Sequence, residues 1–426
     1  MSRLTTVSIL TATAFAFIPL AAQAQAPGHQ PPGQAAKLPE GEGKALVEGA
    51  CVACHQTDQI ARSSGYTREG WKELAATMID LSKSPAELDT MTSYLATNFP
   101  PNMKRSAKLI PGSAQITFKE WVTPTLGQRS RDPAEAPDGT IWWVGQWGNV
   151  IGRINPATGE MKEYPLPAKA MPHTVLLDAQ GGVWYTGNKN ATIGKLDPAT
   201  GKVTEYKMPD PAAKDPHSAI FDRNGIMWFT MQLSNMVGRL DPKTGDVKVV
   251  AMTRPDSRPY GIKLDAEGVP WFACNGSNCL VRIDPATMEL KVVNLPDPKT
   301  KIRRLAFDSS GVIWFVNSTQ GRLGRYDPKT GDVKEWPSPS GPQSHPYAIA
   351  VIDDIVWYNE SGVRPDALVR FDPKTETFQS WAIPSGGVHA GIIRHMRPTR
   401  EGNLLVHQSS TNRIILVNIR RRAAGR

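Results

Sequence analysis

The sequence predicts a small all-α domain followed by an all-β seven-bladed propeller. Helical patterns are confined to residues 41–99, whereas residues 114–420 repeat a unit whose copies start 42 to 45 residues apart. Repeats of this length that hold four short strands are typical of propeller blades. The chain also has 12 Trp and 36 Gly among its 426 residues, which fits a turn-rich β protein that is too long for one ordinary domain.

Residues 1–24 have the pattern of a secretory signal peptide. One basic residue, Arg3, precedes an apolar run over 7–22, and Ala22-Gln23-Ala24 fits a cleavage site. The run is too short and too rich in Ala and Thr for a membrane span. We therefore expect an exported, periplasmic protein without a membrane span, in which residues 25–40 form a flexible leader.

Residues 41–99 are expected to form three helices. The first covers 42–51, the second covers 68–81 with apolar residues at helical spacing, and the third begins at Pro85. The first helix leads directly into a C-x-x-C-H sequence, so this motif lies inside a small helical unit.

Cys51-Val52-Ala53-Cys54-His55 is the attachment signature of a c-type haem. The thiols of Cys51 and Cys54 add to the vinyl groups of the porphyrin, and His55 gives its imidazole to the iron. A disulfide and a zinc half-site are the alternatives. Residues 56–110 contain no further Cys or His, so a second pair of zinc ligands is missing there. We therefore expect one covalent haem c and a cytochrome c domain over 41–99.

The sixth ligand of the iron is expected to be a methionine, because thioether sulfur favours the reduced iron. Met91 lies in the apolar stripe of the third predicted helix, and Met103 follows the end of the domain. Met78 comes before a turn and could lie over the open side of the ring. The spacing from Trp71 to Met78 also resembles the W-x(6)-M pattern of short single-haem cytochrome c domains. We therefore assign Met78 as the ligand.

The repeat is marked by turns of the form Asp-Pro-x-Thr-Gly, in which Pro fixes φ and Gly accepts the left-handed conformation. These turns and their close variants start at Asn155, Asp197, Asp241, Asp284, Asp327 and Asp372. The inner strands of the seven blades are predicted to begin at Arg131, His173, His217, Tyr260, Arg303, Tyr347 and Arg394. The last repeat holds only three strands, so we expect residues 116–124 to supply the fourth and close the ring. Residues 100–113 are predicted to be a linker that permits many poses, and 421–426 a basic tail.

Two further features recur within or beside the blades. A Trp-aromatic pair such as Trp142-Trp143 occurs once in each of six blades and is expected to pack neighbouring blades together. Cys274 and Cys279 flank Asn-Gly-Ser-Asn, which suits a tight hairpin. The two sulfurs are predicted to form a disulfide in an oxidising compartment, with two buried thiols as the alternative.

Basic and aromatic side chains are expected to gather at one face of the propeller, because all the inner strands begin there. The candidate ligand-binding residues are Arg131, His173, His217, Tyr260, Arg303, Tyr347, Glu360, His389, Arg394, His395 and His407. Arginines and histidines together favour an anionic or phenolic ligand. The net charge of +9 agrees with negatively charged partners, whereas export argues against nucleic acid. A polar channel mouth without a ligand is the alternative.

The blade motifs, P-H-x-x at an inner strand, W-F-T after it and G-R-x-D-P-x-T-G later, resemble the virginiamycin B (streptogramin) lyase family over roughly 114–420. The resemblance implies a seven-bladed propeller and, for the lyases, magnesium-dependent opening of a cyclic ester by elimination. Their catalytic His and Glu belong to the last two blades. The matching positions here hold Tyr347, Arg394 and His407, with His389 or His395 as substitutes only after a local shift. The resemblance therefore carries the fold rather than the lyase chemistry.

Three functions follow from these features. The first is a haem-dependent oxidoreductase whose propeller binds an anionic or phenolic substrate, or an exported redox partner. The second is a lyase with Mg²⁺ near Glu360 and His407 and a separate haem electron carrier. The third is a non-catalytic propeller on which a redox partner docks. We favour the first.

Overall fold

The computed structural model describes residues 37–52, 57, 60, 63, 66–100, 106–385 and 393–420. The predicted signal peptide, Cys54, His55, Met103, His389 and the basic tail lie outside the described residues.

Three described helices precede the propeller: α1 (Lys44–Ala50), α2 (Arg68–Ala76) and α3 (Pro85–Asn98). Thr67 caps α2 by accepting a hydrogen bond from the backbone N–H of Gly70. The predicted extension of α2 to residue 81 is wrong. The Thr77 hydroxyl donates to the carbonyl of Leu74, and a turn held by Asp80 follows.

The three helices share one apolar core. Its buried members include Val47 from α1, Trp71 and Leu74 from α2, and Met91 and Leu95 from α3. Met91 is 1 % exposed, which agrees with its predicted packing role. Among the described helices, none is long and apolar enough to cross a bilayer.

The rest of the described chain forms seven four-stranded antiparallel sheets, which confirms the predicted seven blades. The first strand of the propeller is β1 (Gln115–Val122). The remaining strands, from inside to outside in each blade, are β2 (Ser130–Glu135), β3 (Ile141–Gly145), β4 (Val150–Ile154), β5 (Met161–Pro165); β6 (Pro172–Leu177), β7 (Val183–Gly187), β8 (Thr192–Leu196), β9 (Val203–Lys207); β10 (Pro216–Phe221), β11 (Met227–Met231), β12 (Met236–Leu240), β13 (Val247–Ala251); β14 (Pro259–Leu264), β15 (Pro270–Cys274), β16 (Cys279–Ile283), β17 (Leu290–Asn294); β18 (Ile302–Phe307), β19 (Ile313–Asn317), β20 (Arg322–Tyr326), β21 (Val333–Pro337); β22 (Pro346–Ile352), β23 (Ile355–Glu360), β24 (Ala367–Asp372), β25 (Thr377–Ala382); and β26 (Arg397–Pro398), β27 (Leu404–Gln408), β28 (Arg413–Arg420).

The ring closes as predicted, by an N-terminal strand in the last blade. Strand β1 pairs with β28 in antiparallel register from Gln115 opposite Arg420 to Val122 opposite Arg413. The inner strand of this blade is shorter than expected: β26 covers two residues instead of starting at Arg394. The backbone N–H of Arg394 points to a histidine nitrogen of His407 instead of joining a ladder.

Neighbouring blades pack through the aromatic pairs, which confirms that prediction. Trp142 lies in one buried cluster with Tyr185 of the next blade, whereas Trp143 packs against Leu405 of the last blade. The opposite faces of the two side chains follow from the alternation along a strand. Gly152 leaves room for this packing, because a Cβ atom there would lie 2.0 Å from the Trp143 ring.

We call the face at which the inner strands begin the upper face. Residues 106–114, most of which belong to the predicted linker, lie along the sixth blade. The Ile110 N–H donates to the Ser380 hydroxyl, the Ser380 N–H donates to the Ile110 carbonyl, and the Gln379 amide donates to the carbonyl of Ala114. The helical unit contacts the upper face of the propeller. There the Thr77 carbonyl accepts hydrogen bonds from the Gly127 N–H at 3.1 Å and from the Asn412 side-chain amide at 3.4 Å.

Candidate functional site

The site is built at the start of the inner strands by a repeated irregularity. In six blades the ladder between the first and second strands shifts register by bulging, for example between Pro172 and Val175 or between Pro216 and Ala219. A bulge frees residues from the ladder and redirects their side chains. Residues such as His173 and His217 are thereby brought together at the upper face.

The structure brings six of the predicted residues into one continuous cluster, which we call the upper ring: Arg131, His173, His217, Tyr260, Arg303 and Tyr347. The ring centroids of His173 and His217 are 3.5 Å apart, and those of His217 and Tyr260 are 4.3 Å apart. The Tyr260 and Tyr347 hydroxyls share a hydrogen bond, and the Arg303 guanidinium lies 4.5 Å from the Tyr347 ring centroid.

The upper ring is packed rather than open. Arg131, His173, His217, Tyr260 and Tyr347 are each at most 5 % exposed. Arg303 is half-buried and lies at the edge of the cluster. Because tilted rings in contact and a guanidinium cover one another, the accessible part of the site is its outer rim, where Arg129 and His345 are also half-buried.

A carboxylate and an arginine beneath the upper ring were missed by the sequence reasoning. Asp132, which is fully buried, accepts a hydrogen bond from the Thr174 hydroxyl at 2.8 Å and contacts His395 at 3.3 Å. Arg304 lies 3.9 Å from the same carboxylate and donates to the backbone carbonyl of Arg394. Both residues directly follow a ring position, and this neighbourhood was the signal that could have found them.

His407, another predicted residue, has structural partners of its own. The nitrogens of His407 face the backbone N–H groups of Asp132 and Arg394 at 3.2 and 3.3 Å. A neutral imidazole can accept only one of these bonds, and protonation would remove the acceptor. This agrees with burial lowering the pKa of His407 well below its usual value.

Glu360 and His407 are not brought together. The Glu360 carboxylate accepts hydrogen bonds from Ser338 and Ser340. Burial raises the pKa of Glu360, although these hydrogen bonds act in the opposite direction. Strand register also shows that Glu360 and His407 do not occupy equivalent positions in their blades. Trp357 pairs with Ala350 of its inner strand, and Leu405 pairs with Arg397 at the equivalent position of the last blade. Three residues further along each strand, the residue equivalent to Glu360 is therefore Gln408. Among the described residues, no group of three or more His, Cys, Asp or Glu is arranged to hold a metal ion.

Burial keeps the imidazoles of the cluster uncharged. It lowers the pKa of His173, His217 and His395 well below the usual value, and nearby arginines act in the same direction. The pKa of His345 falls to about 3, through burial first and the charge of Arg303 second.

The two phenols differ from each other. Burial raises the pKa of Tyr260, and its contact with Tyr347 adds to the shift. Burial would also raise the pKa of Tyr347, but the charges of Arg303 and Arg394 outweigh it and lower that pKa below its usual value. The pair is therefore a hydrogen bond between two phenols of unequal acidity, beside an arginine.

The charge of the cluster is strongly positive. Five guanidiniums act on it, from Arg129, Arg131, Arg303, Arg304 and Arg394. Burial would raise the pKa of Asp132, but His395 and Arg304 hold it well below the usual range, so this carboxylate stays ionised. Burial raises the pKa of nearby Asp366 to about 7, which reduces its negative charge near neutral pH.

The cations also have unused donors. The Nε atom of Arg303 and the Nη1 atom of Arg394 are buried and lack a hydrogen-bond partner among the described residues. Buried donors without a partner are costly, so an acceptor that reaches them would be favourable. The upper face is therefore suited to an anion.

The helical unit has features that fit a porphyrin. Cys51 and Met78 both pack against its apolar core, which puts a thiol and a thioether on the same cluster. The indole nitrogen of Trp71 is buried without an acceptor among the described residues, and a porphyrin carboxylate would supply one. Met78 lies just beyond α2.

Cys274 and Cys279 form a disulfide in the fourth blade, with an S–S distance of 2.03 Å. Both residues are fully buried, and they end β15 and begin β16. The bond therefore clamps a hairpin and lies outside the upper ring.

Comparisons with known proteins agree with this architecture. The model of the virginiamycin B lyase family matches residues 113–283. A streptogramin B lyase structure is 23% identical with a TM-score of 0.64, covering 72% of this chain and 98% of that chain. Virginiamycin B lyase from Staphylococcus aureus is 22% identical with a TM-score of 0.63, covering 71% and 99%. Hydrazine synthase from Kuenenia stuttgartiensis is 12% identical with a TM-score of 0.56, covering 71% and 98%.

No curated protein sequence matches the chain significantly. At the identities of the solved structures, the similarity shows the fold alone: a virginiamycin B lyase-like seven-bladed propeller.

Proposed function

We propose that this chain is an exported, periplasmic c-type cytochrome with an oxidoreductase function, whose propeller binds an anionic or phenolic substrate at the upper face. One observation carries the proposal: the arginine-rich upper face lies against the helical unit that contains the C-x-x-C-H motif. Gly127, at their contact, is two residues from Arg129 of the positive cluster. A bound anion and a redox group would thus share one side of the propeller.

The residues that would hold the haem are Cys51 and Cys54 through thioether bonds and His55 and Met78 at the iron. When bound, the haem would supply one-electron acceptance. The chain's own task is to hold the donor. Arg303 and Arg394 offer unpaired guanidinium donors to an anionic oxygen, and the lowered pKa of Tyr347 suits its Oη atom to take up a phenolic proton.

Equilibrium binding to the oxidised holoprotein tests the donor site. A panel of carboxylates, phenolates and phosphate is titrated by calorimetry into the wild type and into Arg303→Met. Loss of a charged hydrogen bond costs about 1.5–3 kcal/mol, which corresponds to roughly a 10- to 100-fold weaker affinity. The matched control is Arg153→Met, which removes an exposed arginine whose partner is Asp138 on the surface.

Two results would contradict the proposal. Equal affinities of Arg303→Met and wild type would remove the upper face as the anion site. Intact mass spectrometry of the exported protein without the added mass of one haem would remove its redox part. Magnesium-dependent ester elimination, or a stable complex with another exported protein and no small-molecule binding, would favour the lyase or the docking function.

A further inference from the structure

The lower end of the channel, opposite the upper face, carries a second ring of equivalent residues. Each pairs across the ladder with one equivalent position of the second strand, where six blades hold the first aromatic of the Trp pair and the last blade holds Leu405. This lower ring consists of Ala134, Leu176, Ile220, Lys263, Ala306, Ala350 and Arg397. Five positions are therefore apolar and two are basic, and none is acidic.

The sizes of these residues open a cavity on one side of the lower ring. Leu176 and Ile220 fill their positions, whereas the next apolar positions hold Ala306 and Ala350. An open cavity of about 200 Å³ lies there, lined by Lys263, Leu264, Ala306, Phe307, Ala350, Val351 and Pro398. Its walls come from four different blades and are apolar apart from the lysine.

One cation lines this cavity and a second lies close to it, with the charge of Asp132 as the acidic charge that acts on both. Lys263 lines it directly, and Arg397 precedes the lining residue Pro398. Neither forms a salt bridge to any described residue, and the Nη2 atom of Arg397 is buried without a hydrogen-bond partner among them. The nearby carboxylate Asp132 is already engaged by Thr174 and His395.

The pKa shifts of Lys263 and Arg397 agree with two cations held close together. Burial lowers the pKa of Lys263 to about 8, and the charge of Arg397 adds to the shift. Burial also lowers the pKa of Arg397 to about 10. A negative group between them would relieve the repulsion and satisfy the free donor.

We propose that the lower end of the propeller binds a small organic monoanion with an apolar body, such as an aromatic or short-chain carboxylate. Its carboxylate lies between Lys263 and Arg397, and its apolar part packs against Phe307 and Val351. Apolar walls with a few convergent polar groups are the usual design of small-molecule sites. The small volume selects a small ligand. The site is separate from the upper face and does not depend on the function proposed there.

The test uses benzoate as the anionic probe and benzamide as its neutral counterpart, with the full-length holoprotein. Calorimetry is performed in the Arg303→Met background, so that the upper face is weakened as a competing site. We expect benzoate to bind and benzamide to bind at least about tenfold more weakly. Lys263→Met should weaken benzoate at least about tenfold, whereas Lys263→Arg should largely restore it. The exposed Lys291→Met is the matched control and should leave the affinity unchanged.

Ala350→Leu tests the cavity without altering either cation, and it should also weaken benzoate at least about tenfold. Its melting temperature, compared with that of the parent, shows whether the blade still folds. The proposal is overturned if the parent does not bind benzoate, if benzamide binds equally well, or if folded Lys263→Met and Ala350→Leu both retain the affinity.

Discussion

Acidification provides a quantitative test of the packed cluster at the upper face. The five histidines that the structure describes in the propeller are His173, His217, His345, His395 and His407, and burial lowers the pKa of each. A histidine with a folded pKa below its unfolded value of about 6.5 gains its proton only on unfolding. Its contribution therefore lowers the free energy of unfolding as the pH falls below about 6.5.

Two buried carboxyls act in the opposite direction. Burial raises the pKa of Asp366 to about 7 and also raises that of Glu360. Each binds a proton in the folded state before it would in the unfolded chain, so each stabilises the fold as the pH falls toward about 4. The histidines would take up roughly four to five protons on unfolding in this window; Asp366 offsets about one of them, and Glu360 with the half-buried Glu335 offsets a further fraction, which leaves a net uptake of about three. The free energy of unfolding should then fall by about 4 kcal/mol per pH unit between about pH 6 and pH 5.

Urea unfolding of the full chain at several pH values in this window measures the slope. His345→Gln should reduce it by about one proton, or about 1.4 kcal/mol per pH unit, because the substitution removes one of the five imidazoles whose pKa is lowered in the fold. The neighbouring control Gln343→Asn, at an exposed position, should leave it unchanged. A wild-type slope below about 1.4 kcal/mol per pH unit would refute the reasoning, because the histidines would then be protonated within the fold.

Three further predictions concern single contacts. Asp132→Asn should lower the free energy of unfolding by about 3–5 kcal/mol in urea titrations, because it leaves Arg304 buried without its anion. The matched control is Asp256→Asn, because Asp256 also has positive φ but belongs to an exposed ion pair. It should lower the free energy of unfolding by less than about 1 kcal/mol. Gly127→Ala should perturb the visible band of a methionine-ligated ferric haem, because the Cβ of the new alanine would lie 3.1 Å from the Met78 carbonyl oxygen. The control is Gly139→Ala, which also has positive φ but no atom so close to its Cβ, and it should leave the band unchanged. Deletion of residues 114–124 should expose β28 and lower the melting temperature or cause oligomerisation in sedimentation experiments, and an unchanged monomer would contradict the role of β1.

The propeller could be predicted because its repeat is local. The Asp-Pro turns, the aromatic pairs and the inner-strand positions recur at nearly fixed spacing, so a seven-bladed ring and its closure by β1 follow from the sequence. The last blade was predicted only in part, because its inner strand is shorter than the repeat indicates. There Pro398 cannot donate to a ladder, and the N–H of Arg394 points to His407, so the inner strand shrinks to β26.

The upper ring was only partly predictable. Equivalent positions could be aligned, but the bulge that also turns Asp132 and Arg304 toward the cluster is not visible in the spacing of the repeat. The packing of His173, His217 and Tyr260 into a closed stack also depends on contacts between blades. Likewise, the equivalence of Glu360 and Gln408 could be established only from the strand register in the structure.

The most direct test of the central claim is an anaerobic titration of the oxidised holoprotein, followed through the visible bands of the haem. An anionic or phenolic compound that binds the wild type should reduce its haem, whereas Arg303→Met should respond only at much higher concentration. Ascorbate is the control and should reduce both proteins. If ascorbate reduces the haem but every compound that binds the upper face leaves it oxidised, the link between the arginine cluster and the haem is wrong.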